Sequence, residues 1–202
     1  MFDQNLILRI SFPIIHGKAI DTDHAESLYS AISSHSPFLH QNERLAISTV
    51  MGGVAVGNRL ILNRRSKFFL LCPSNMFYYA LSLSGKELKL RNDKVRLGIP
   101  RLETIFPSTK LVSRMVVIRN TIDPDKMLVN IIQKLRDWFG EQADLIEVSV
   151  GRRRILRIHS RKIAGFEVTL NGLTPEQSVF IQSHPIAGRS RYGCSIFVPA
   201  KE

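Results

Sequence analysis

The stretch "KLVSRMVVIRNTIDPDKMLVNIIQKLRDWFG", residues 110–140, decides the fold of this chain. Its first part, residues 110–120, is typical of a strand. Asp123 and Pro124 begin a helix, because aspartate caps free backbone N–H groups and proline loses no hydrogen bond at the first helical position. Before Gly140 ends the helix, apolar residues recur at helical spacing, at Met127, Leu128, Ile131, Ile132, Leu135, Trp138 and Phe139. We therefore expect a strand followed by a strongly amphipathic helix.

The residues after this helix complete a familiar order of elements. Two strands are predicted over 145–160 and 164–170, Thr174 with Pro175 begins a short helix, and 193–199 is a final strand. The order strand–helix–strand–strand–helix–strand is the ferredoxin-like one.

The first half of the chain has the same order. A strand at 5–12 places Leu6, Leu8, Ile10 and Phe12 on one face. Asp23 and Glu26 form a capping box that begins a helix, and Pro37 ends it. Short strands, a short helix and a two-stranded closing unit follow at 44–50, 59–63, 67–72, 75–83, 86–90 and 94–99.

The repeated order predicts an α+β protein with two tandem ferredoxin-like βαββαβ domains. We place the N-terminal domain at residues 1–103 and the C-terminal domain at 108–202, with the boundary near Pro100–Pro107. A single larger α+β domain is the main alternative, since 202 residues allow either arrangement.

Composition excludes several classes of protein. No apolar run approaches the roughly 20 residues that cross a bilayer, and the first residues lack the pattern of a secretion signal. With only Cys72 and Cys194, the chain has neither a disulfide framework nor a paired-cysteine metal motif. We therefore expect a cytoplasmic protein without a membrane partner.

The charge points to a polyanionic partner. The formal net charge is +11, and the excess of lysine and arginine is spread over both halves of the chain. This distribution argues against a disordered basic tail. Because neutralising phosphates releases counterions, such a charge favours binding to nucleic acid.

The most basic stretch is "GRRRILRIHSRK", residues 151–162, and no acidic residue lies between Val148 and Phe166. Alternation along a strand places Arg152 and Arg154 on one face, and Arg153 and Arg157 on the other with His159. We interpret the block as a contact for RNA or DNA, and a solvated edge strand is the alternative. Its cations are Arg152, Arg153, Arg154, Arg157, Arg161 and Lys162.

A second basic segment lies in "HPIAGRSRYGCSIFVP", residues 184–199. Gly188 and Gly193 let the backbone come close to a phosphate, while Arg189 and Arg191 supply positive charge. The segment lacks the Gly-Lys-Ser/Thr ending of a nucleoside-triphosphate loop.

None of the six histidines has the spacing of zinc ligands, so we expect no metal site. Histidine is suited to proton transfer near neutral pH. His40 follows the first predicted helix, on a connection expected at the end of the sheet, and His24 opens that helix. From the residues alone, a structural role is the alternative for both.

The chain is similar to the CRISPR repeat-processing endoribonucleases of type I systems, and more closely to their compact branch of this length. The resemblance extends over nearly the whole chain, and its most specific part is the glycine-rich loop leading into the final strand. The stretches that carry it are "SFPI", "DHAESLYSAISSHSPFLH", "GKELKLRNDKVRLGIP", "GRRRILRIHSRKIAGFEVTLNGLTPEQSVFIQ" and "AGRSRYGCSIFVP".

The resemblance implies two RNA-recognition-type domains that hold a CRISPR repeat, and a reaction without metal or other cofactor. A ribose 2′-OH attacks the adjacent phosphate of the precursor RNA, which leaves a 2′,3′-cyclic phosphate and a 5′-OH. The enzyme then stays with the guide RNA and other subunits of a type I surveillance complex. A non-catalytic subunit that recognises the repeat hairpin is the alternative, and an RNA-binding module unrelated to CRISPR is the third hypothesis.

The resemblance also implies roles for individual residues. His40 is the general base or acid, Tyr29 positions the nucleophile or assists proton transfer, and Arg44 stabilises the phosphate. Other relatives carry their histidine at the start of the helix, which makes His24 the second choice, ahead of His35. Tyr29 also lies on the apolar face of its helix, so a core position is its alternative.

One departure from the family lies in the glycine-rich loop. Ser195 stands where relatives have glycine, and Ala187–Gly188 replaces their paired glycine. We expect this loop to have less conformational freedom than in relatives.

Overall fold

The computed structural model of the protein describes residues 6–200 and divides into two compact units, Met1–Thr104 and Ile105–Glu202. We call these units the N-terminal and the C-terminal domain. Within residues 6–200, no helix has both the length and the apolar character needed to cross a bilayer.

The N-terminal domain contains nine strands and three α-helices in its described part. Its elements are β1 (Ile7–His16), β2 (Ala19–Asp21), α1 (Ala25–His35), α2 (Pro37–Gln41), β3 (Ala46–Ile47), β4 (Val54–Val56), β5 (Arg59–Ile61), β6 (Lys67–Pro73), α3 (Phe77–Leu81), β7 (Glu87–Leu90), β8 (Asp93–Leu97) and β9 (Arg101–Glu103). A 3₁₀ turn over Ser74–Met76 precedes α3.

The main sheet of this domain has the strand order β3-β6-β1-β8-β7, and β9 also pairs with β1. All of these pairings are antiparallel. Strand β1 lies between β6 and β8, which is the position of the first strand in a ferredoxin-like sheet. A separate three-stranded sheet, β2-β5-β4, is added to this core.

Strand β1 carries the centre of the N-terminal core. Ile10 and Phe12 are fully buried, and the Phe12 ring stacks on Phe68 of β6 with centroids 5.3 Å apart. The predicted apolar face is wrong at its start, because the side chain of Leu6 is 53% exposed and precedes the strand.

Several predicted boundaries in this domain are wrong. The capping box does not form: α1 begins at Ala25 after His24, and the Asp23 N–H donates to the Asp21 side chain over 2.7 Å. Pro37 does more than end α1, since it begins the short helix α2. The strand predicted over 44–50 is reduced to Ala46–Ile47.

The C-terminal domain follows the prediction more closely. Its elements are β10 (Lys110–Val116), α4 (Pro124–Phe139), β11 (Glu147–Ile158), β12 (Arg161–Asn171), α5 (Pro175–Ser183) and β13 (Val198–Pro199), with 3₁₀ turns at Gly140–Leu145 and Ser190–Tyr192. Its strand order β11-β12-β10-β13 is again ferredoxin-like. The predicted α+β fold with tandem ferredoxin-like domains is thus confirmed.

Both predicted helix starts in this domain are confirmed. The Asp123 side chain accepts a hydrogen bond from the Lys126 N–H over 2.9 Å, and Thr174 forms a capping box with Gln177. The predicted final strand is shorter than expected, because the 3₁₀ turn and the left-handed backbone of Ser195 delay it to Val198.

One face of α4 packs on the C-terminal sheet. Ile131 and Leu135 of α4 are buried in one cluster with Val116, Phe166 and Val168 of the strands. The helical spacing of the apolar residues in 124–139 therefore positions α4 and, with it, the loop that connects β10 to α4.

Candidate active site and RNA-binding surface

Tyr29 and His40 form a hydrogen-bonded pair in the N-terminal domain. The Tyr29 hydroxyl lies 2.7 Å from Nδ1 of His40, and the two rings stack with centroids 5.6 Å apart. Tyr29 is 8% exposed, whereas His40 is exposed at the surface. The pair therefore joins a buried phenol to an accessible imidazole.

The local sequence explains how this pair forms. Helix α1 ends at His35, and Pro37 immediately starts α2, so that α2 packs against α1. Leu39 is fully buried and anchors α2. His40 was predicted on a loop after the first helix and lies instead in the last turn of this second helix.

The pairing controls what the imidazole of His40 can do. If Nδ1–H donates to the tyrosine oxygen, Nε2 of the neutral ring is a free base, and the protonated ring, which keeps the same Nδ1–H bond, carries an Nε2–H that is an acid. Within residues 6–200, Nε2 has no hydrogen-bond partner. One ring nitrogen can therefore accept or donate a proton while the other fixes the ring.

Arg44 lies four residues beyond His40, on the connection between α2 and β3. It is exposed, and its backbone N–H donates to the Asn42 side chain over 2.9 Å.

The other two histidines considered have structural contacts. His24 is 2% exposed; its Nδ1 lies 2.8 Å from the Asp21 carbonyl, and its Nε2 accepts the Val50 N–H over 2.9 Å. Both ring nitrogens of His24 are thus engaged with the backbone. Nε2 of His35 lies 3.1 Å from the Glu87 carbonyl and links α1 to β7.

The basic stretch forms the long hairpin β11–β12. A bulge between Val150 and Arg153 interrupts the pairing, so the predicted alternation does not extend to Arg152. Beyond the bulge, Arg153 pairs with Phe166 and Arg157 with Lys162 on one face, as expected for Arg153 and Arg157.

Arg154 lies on the other face of the hairpin and forms an ion pair. Its Nη2 is 2.7 Å from Oε2 of Glu167 on β12. The absence of acidic residues nearby in sequence was misleading, because the hairpin register brings Glu167 across from the next strand. Leu156 and Ile158, on the same face as Arg154, are buried.

The hairpin tip presents two opposed cations. Arg157 lies directly opposite Lys162, and like charges in this position are destabilising. The turn itself consists of His159 and Ser160, both with left-handed backbone at φ 48° and 64°. Arg161 and Lys162 are exposed beside it.

The glycine-rich loop has two left-handed residues of its own, Arg189 at φ 63° and Gly193 at φ 76°. The Arg189 carbonyl accepts the N–H groups of Tyr192 and Cys194 over 2.9 and 3.3 Å. The loop that carries Arg191 is therefore folded onto itself.

Ser195 holds this loop to β10. It is fully buried at φ 60°; its hydroxyl donates to the Gly188 carbonyl over 3.0 Å and accepts the Val117 N–H over 3.3 Å. Its own N–H donates to the Met115 carbonyl over 2.7 Å. The serine thus adopts a left-handed backbone conformation that glycine adopts more readily, and its hydroxyl adds two bonds. The sequence alone gave no sign of these bonds.

Three predicted RNA-binding residues, Lys162, Gly188 and Arg189, line one groove of the C-terminal domain. Sequence reasoning missed two further cations of this groove, Arg119 and Lys134, because both lie outside the two basic stretches.

Neither cysteine is arranged for chemistry. Burial raises the pKa of both the Cys72 and the Cys194 thiol to about 12. Among residues 6–200, no group of three or more histidine, cysteine, aspartate or glutamate side chains could hold a metal ion.

Comparison with known proteins identifies the family of the chain and agrees with its fold. Residues 9–202 match the Cas6 CRISPR family. The CRISPR-associated endonuclease Cas6 of Myxococcus xanthus (strain DK1622) is 32% identical over 188 residues, which cover 93% of this chain and 79% of that protein.

Solved structures show the same fold. A CRISPR-associated protein Cas6 matches 97% of this chain and all of its own length, with a TM-score of 0.66 at 12% identity. A Cas6-related protein from Pyrococcus furiosus matches 98% of this chain and all of its own length, with a TM-score of 0.65 at 12% identity. The resemblance found in the sequence is confirmed, and the chain belongs to the Cas6 family of CRISPR proteins.

Proposed function

We propose that this chain is an endoribonuclease that cleaves CRISPR precursor RNA within its repeats. The observation that carries the proposal is the Tyr29–His40 pair, because it places an accessible imidazole with one fixed nitrogen in a Cas6 family chain. The relative from Myxococcus xanthus is itself named an endonuclease.

The reaction is a transesterification at one phosphate. The 2′-OH attacks phosphorus and loses its proton to a base, the bond from phosphorus to the 5′ oxygen breaks, and that oxygen receives a proton from an acid. His40 serves one of these two steps through Nε2, and Tyr29 holds the ring and its tautomer. The products are a 2′,3′-cyclic phosphate and a 5′-OH, and no metal or other cofactor takes part.

Arg44 stabilises the charge that develops on the phosphate. Its exposure on the segment after α2 supports this role, because an accessible guanidinium can bind two phosphate oxygens at once. His24 is assigned to the fold, since a proton transfer by its Nε2 would break the bond from Val50.

The C-terminal domain supplies the contacts to repeat RNA. Arg157 opposite Lys162 supports this assignment, because a bound phosphate removes the repulsion between the two cations. Arg154 supports the hairpin through Glu167 instead of contacting RNA directly. The direct contacts come from Arg152, Arg153, Arg157, Arg161, Lys162, Gly188, Arg189, Arg191 and Gly193.

We place this activity in the cytoplasm. There the mature guide RNA stays bound after cleavage, and the complex joins other subunits of a type I surveillance complex. The two-domain organisation with cleavage residues in 1–103 and RNA contacts in 108–202 remains part of this proposal.

The test uses purified protein, an RNA with the repeat from the neighbouring array, and excess EDTA. We expect one cut with a cyclic phosphate end. His40→Ala should lower the single-turnover rate by about 10²–10⁴-fold, the usual contribution of a general acid or base. His35→Ala is the matched control, since it removes another exposed histidine five residues away.

Two results would contradict the proposal. Full activity of His40→Ala would show that the catalytic group lies elsewhere. Tight binding of the repeat by the wild type, without any cleavage, would identify a non-catalytic subunit that recognises the repeat.

A further inference from the structure

The C-terminal domain contains a groove of about 920 Å³ that four separate segments form. The segments are the end of β10 with the loop to α4, one side of α4, the start of β12, and the glycine-rich loop. The lining residues lie at 117–122, 130, 134, 162–164 and 186–189. Only part of this surface belongs to the two basic stretches of the sequence.

The charge of the groove is entirely positive. Each of the four segments contributes one cation, and none of the lining residues is acidic. Four like charges around one concavity raise the local concentration of anions. The cations are Arg119, Lys134, Lys162 and Arg189.

The groove also offers apolar surface, which phosphate alone does not need. Ile118 and Ile163 line it with half-buried side chains, and Ile122 is 69% exposed, whereas Ile186 beneath them is buried. Apolar side chains contact the faces of bases only where the bases are unstacked and unpaired. A volume near the top of the usual range of about 300–1,000 Å³ for ligand pockets suits a short single strand better than a duplex.

The walls of the groove are held in place without a ligand. The Asn130 side chain donates to the Thr121 hydroxyl over 3.0 Å and ties the β10–α4 loop to α4. Val117 forms a bridge with Gly188, which Ser195 also holds. Binding of an RNA segment therefore requires little further ordering of the protein, and the entropic cost of that ordering is small.

We propose that this groove binds a short unpaired segment of the repeat RNA, separately from the base-paired stem. Its phosphates contact the four cations, and its bases lie against Ile118, Ile122 and Ile163. The inference deepens the proposed function and rests on it, since it names the part of the RNA that this surface takes. It also assigns RNA contacts to Arg119 and Lys134.

The test measures binding of three RNAs: the whole repeat, its stem-loop alone, and its unpaired flank alone. The double variant Arg119→Ala/Lys134→Ala should weaken binding of the whole repeat and of the flank by at least about tenfold and lower the salt slope by about 1.4. Binding of the stem-loop should not change. Lys126→Ala is the control, as it removes an exposed cation of α4 outside the groove.

A second readout comes from the one tryptophan of the chain. Nζ of Lys134 lies 5.4 Å from the centre of the Trp138 ring. When Lys134 turns to a phosphate, Trp138 fluorescence should change on addition of the unpaired flank. The change should be absent in Lys134→Ala and retained in Lys126→Ala.

The outcomes separate this inference from the proposed function. Unchanged binding of the flank by the double variant would overturn the inference, even if the wild type cleaves the repeat. An equal loss for stem-loop and flank would overturn it too, because the groove would then take the stem. If the wild type does not cleave but flank binding depends on Arg119 and Lys134, the groove stands and the cleavage proposal fails.

Discussion

The two domains share a topology but use their cations differently. In the described part of the N-terminal domain, cations tie neighbouring segments together through the ion pairs Arg59–Asp93, Lys67–Glu103, Arg91–Asp21 and Lys94–Glu87. Between Ile105 and Ala200, two cations have such pairs, Arg136 with Asp144 and Arg154 with Glu167. The hairpin and the groove display most of the remaining cations at the surface.

Under the proposed function, this difference assigns two tasks to one fold. The N-terminal domain, which holds four of its cations in ion pairs, presents a hydrogen-bonded phenol and imidazole, which suit proton transfer. The C-terminal domain, with most of its cations displayed, presents a surface for phosphate. Variants in the two domains should therefore separate the rate of cleavage from the strength of binding.

The largest expected effect on binding comes from the hairpin. Arg153→Ala/Arg157→Ala should weaken binding of the repeat by roughly 10- to 100-fold and lower the salt slope by about 1.8, because two phosphate contacts are lost. The single-turnover rate at saturating protein should stay near that of the wild type. Titrations at several salt concentrations measure both quantities.

The matched control removes two cations from the N-terminal domain. Arg91→Ala/Lys94→Ala changes the net charge equally but acts on cations engaged in ion pairs. If this control weakens binding as much as the hairpin variant, net charge decides affinity and the contrast between the domains fails.

A smaller effect is expected at Ser195, on the stability of the C-terminal domain. Ser195→Ala should cost about 1–3 kcal/mol, since the Val117 N–H loses a buried partner. Ser195→Gly should cost less, because glycine adopts the left-handed backbone without the penalty that a side chain brings. Urea unfolding of both variants and of the wild type ranks their free energies of unfolding. A glycine variant more stable than the wild type would show that the hydroxyl contributes less than the backbone strain costs.

The smallest effect concerns the ion pairs of the N-terminal domain. Hydrogen bonds from Arg59 hold the pKa of the Asp93 carboxyl below its ordinary value. The pair therefore stabilises the folded state above the unfolded carboxyl pKa of about 3.9, and this stabilisation is lost as the pH falls through the lower, folded value. Asp93→Asn should slightly lower the Tm at pH 7 and lower it by less at pH 2.

Glu141→Gln provides the comparison, because Glu141 is an exposed acid of the C-terminal domain. Its Tm should follow that of the wild type at both pH values. An Asp93→Asn effect that persists unchanged at pH 2 would mean that packing, not charge, carries the contribution of this side chain.

Sequence patterns correctly predicted those helices whose caps and apolar spacing lie within one short stretch of the chain. The cap at Asp123 and the apolar spacing of α4 lie within one stretch, so the helix could be read from it. The cap at Asp23 failed because Asp21, at the end of the unpredicted strand β2, takes the Asp23 N–H instead.

For the candidate site, the resemblance added an expectation that periodicity did not contain. Periodicity placed Tyr29 in the core, the resemblance placed it beside the chemistry, and the structure has it buried with its hydroxyl on His40. The Arg154–Glu167 pair depends on a hairpin register that a bulge shifts, and no local pattern reveals such a shift. Arg119 and Lys134 come together only through the topology of the sheet.

The length of the β11–β12 hairpin determines how far its tip extends from the C-terminal domain. Its turn holds two residues, and beyond the bulge its strands pair without interruption to the tip. Lengthening each strand by one residue would exchange its two faces, whereas lengthening each by two restores them and moves the tip outward by about 6.6–6.8 Å. The reach of the hairpin can thus grow or shrink in such steps while the core beneath it keeps its sequence. Under the proposed function, insertions and deletions here would change the contact of the hairpin with repeat RNA and leave the Tyr29–His40 pair unchanged.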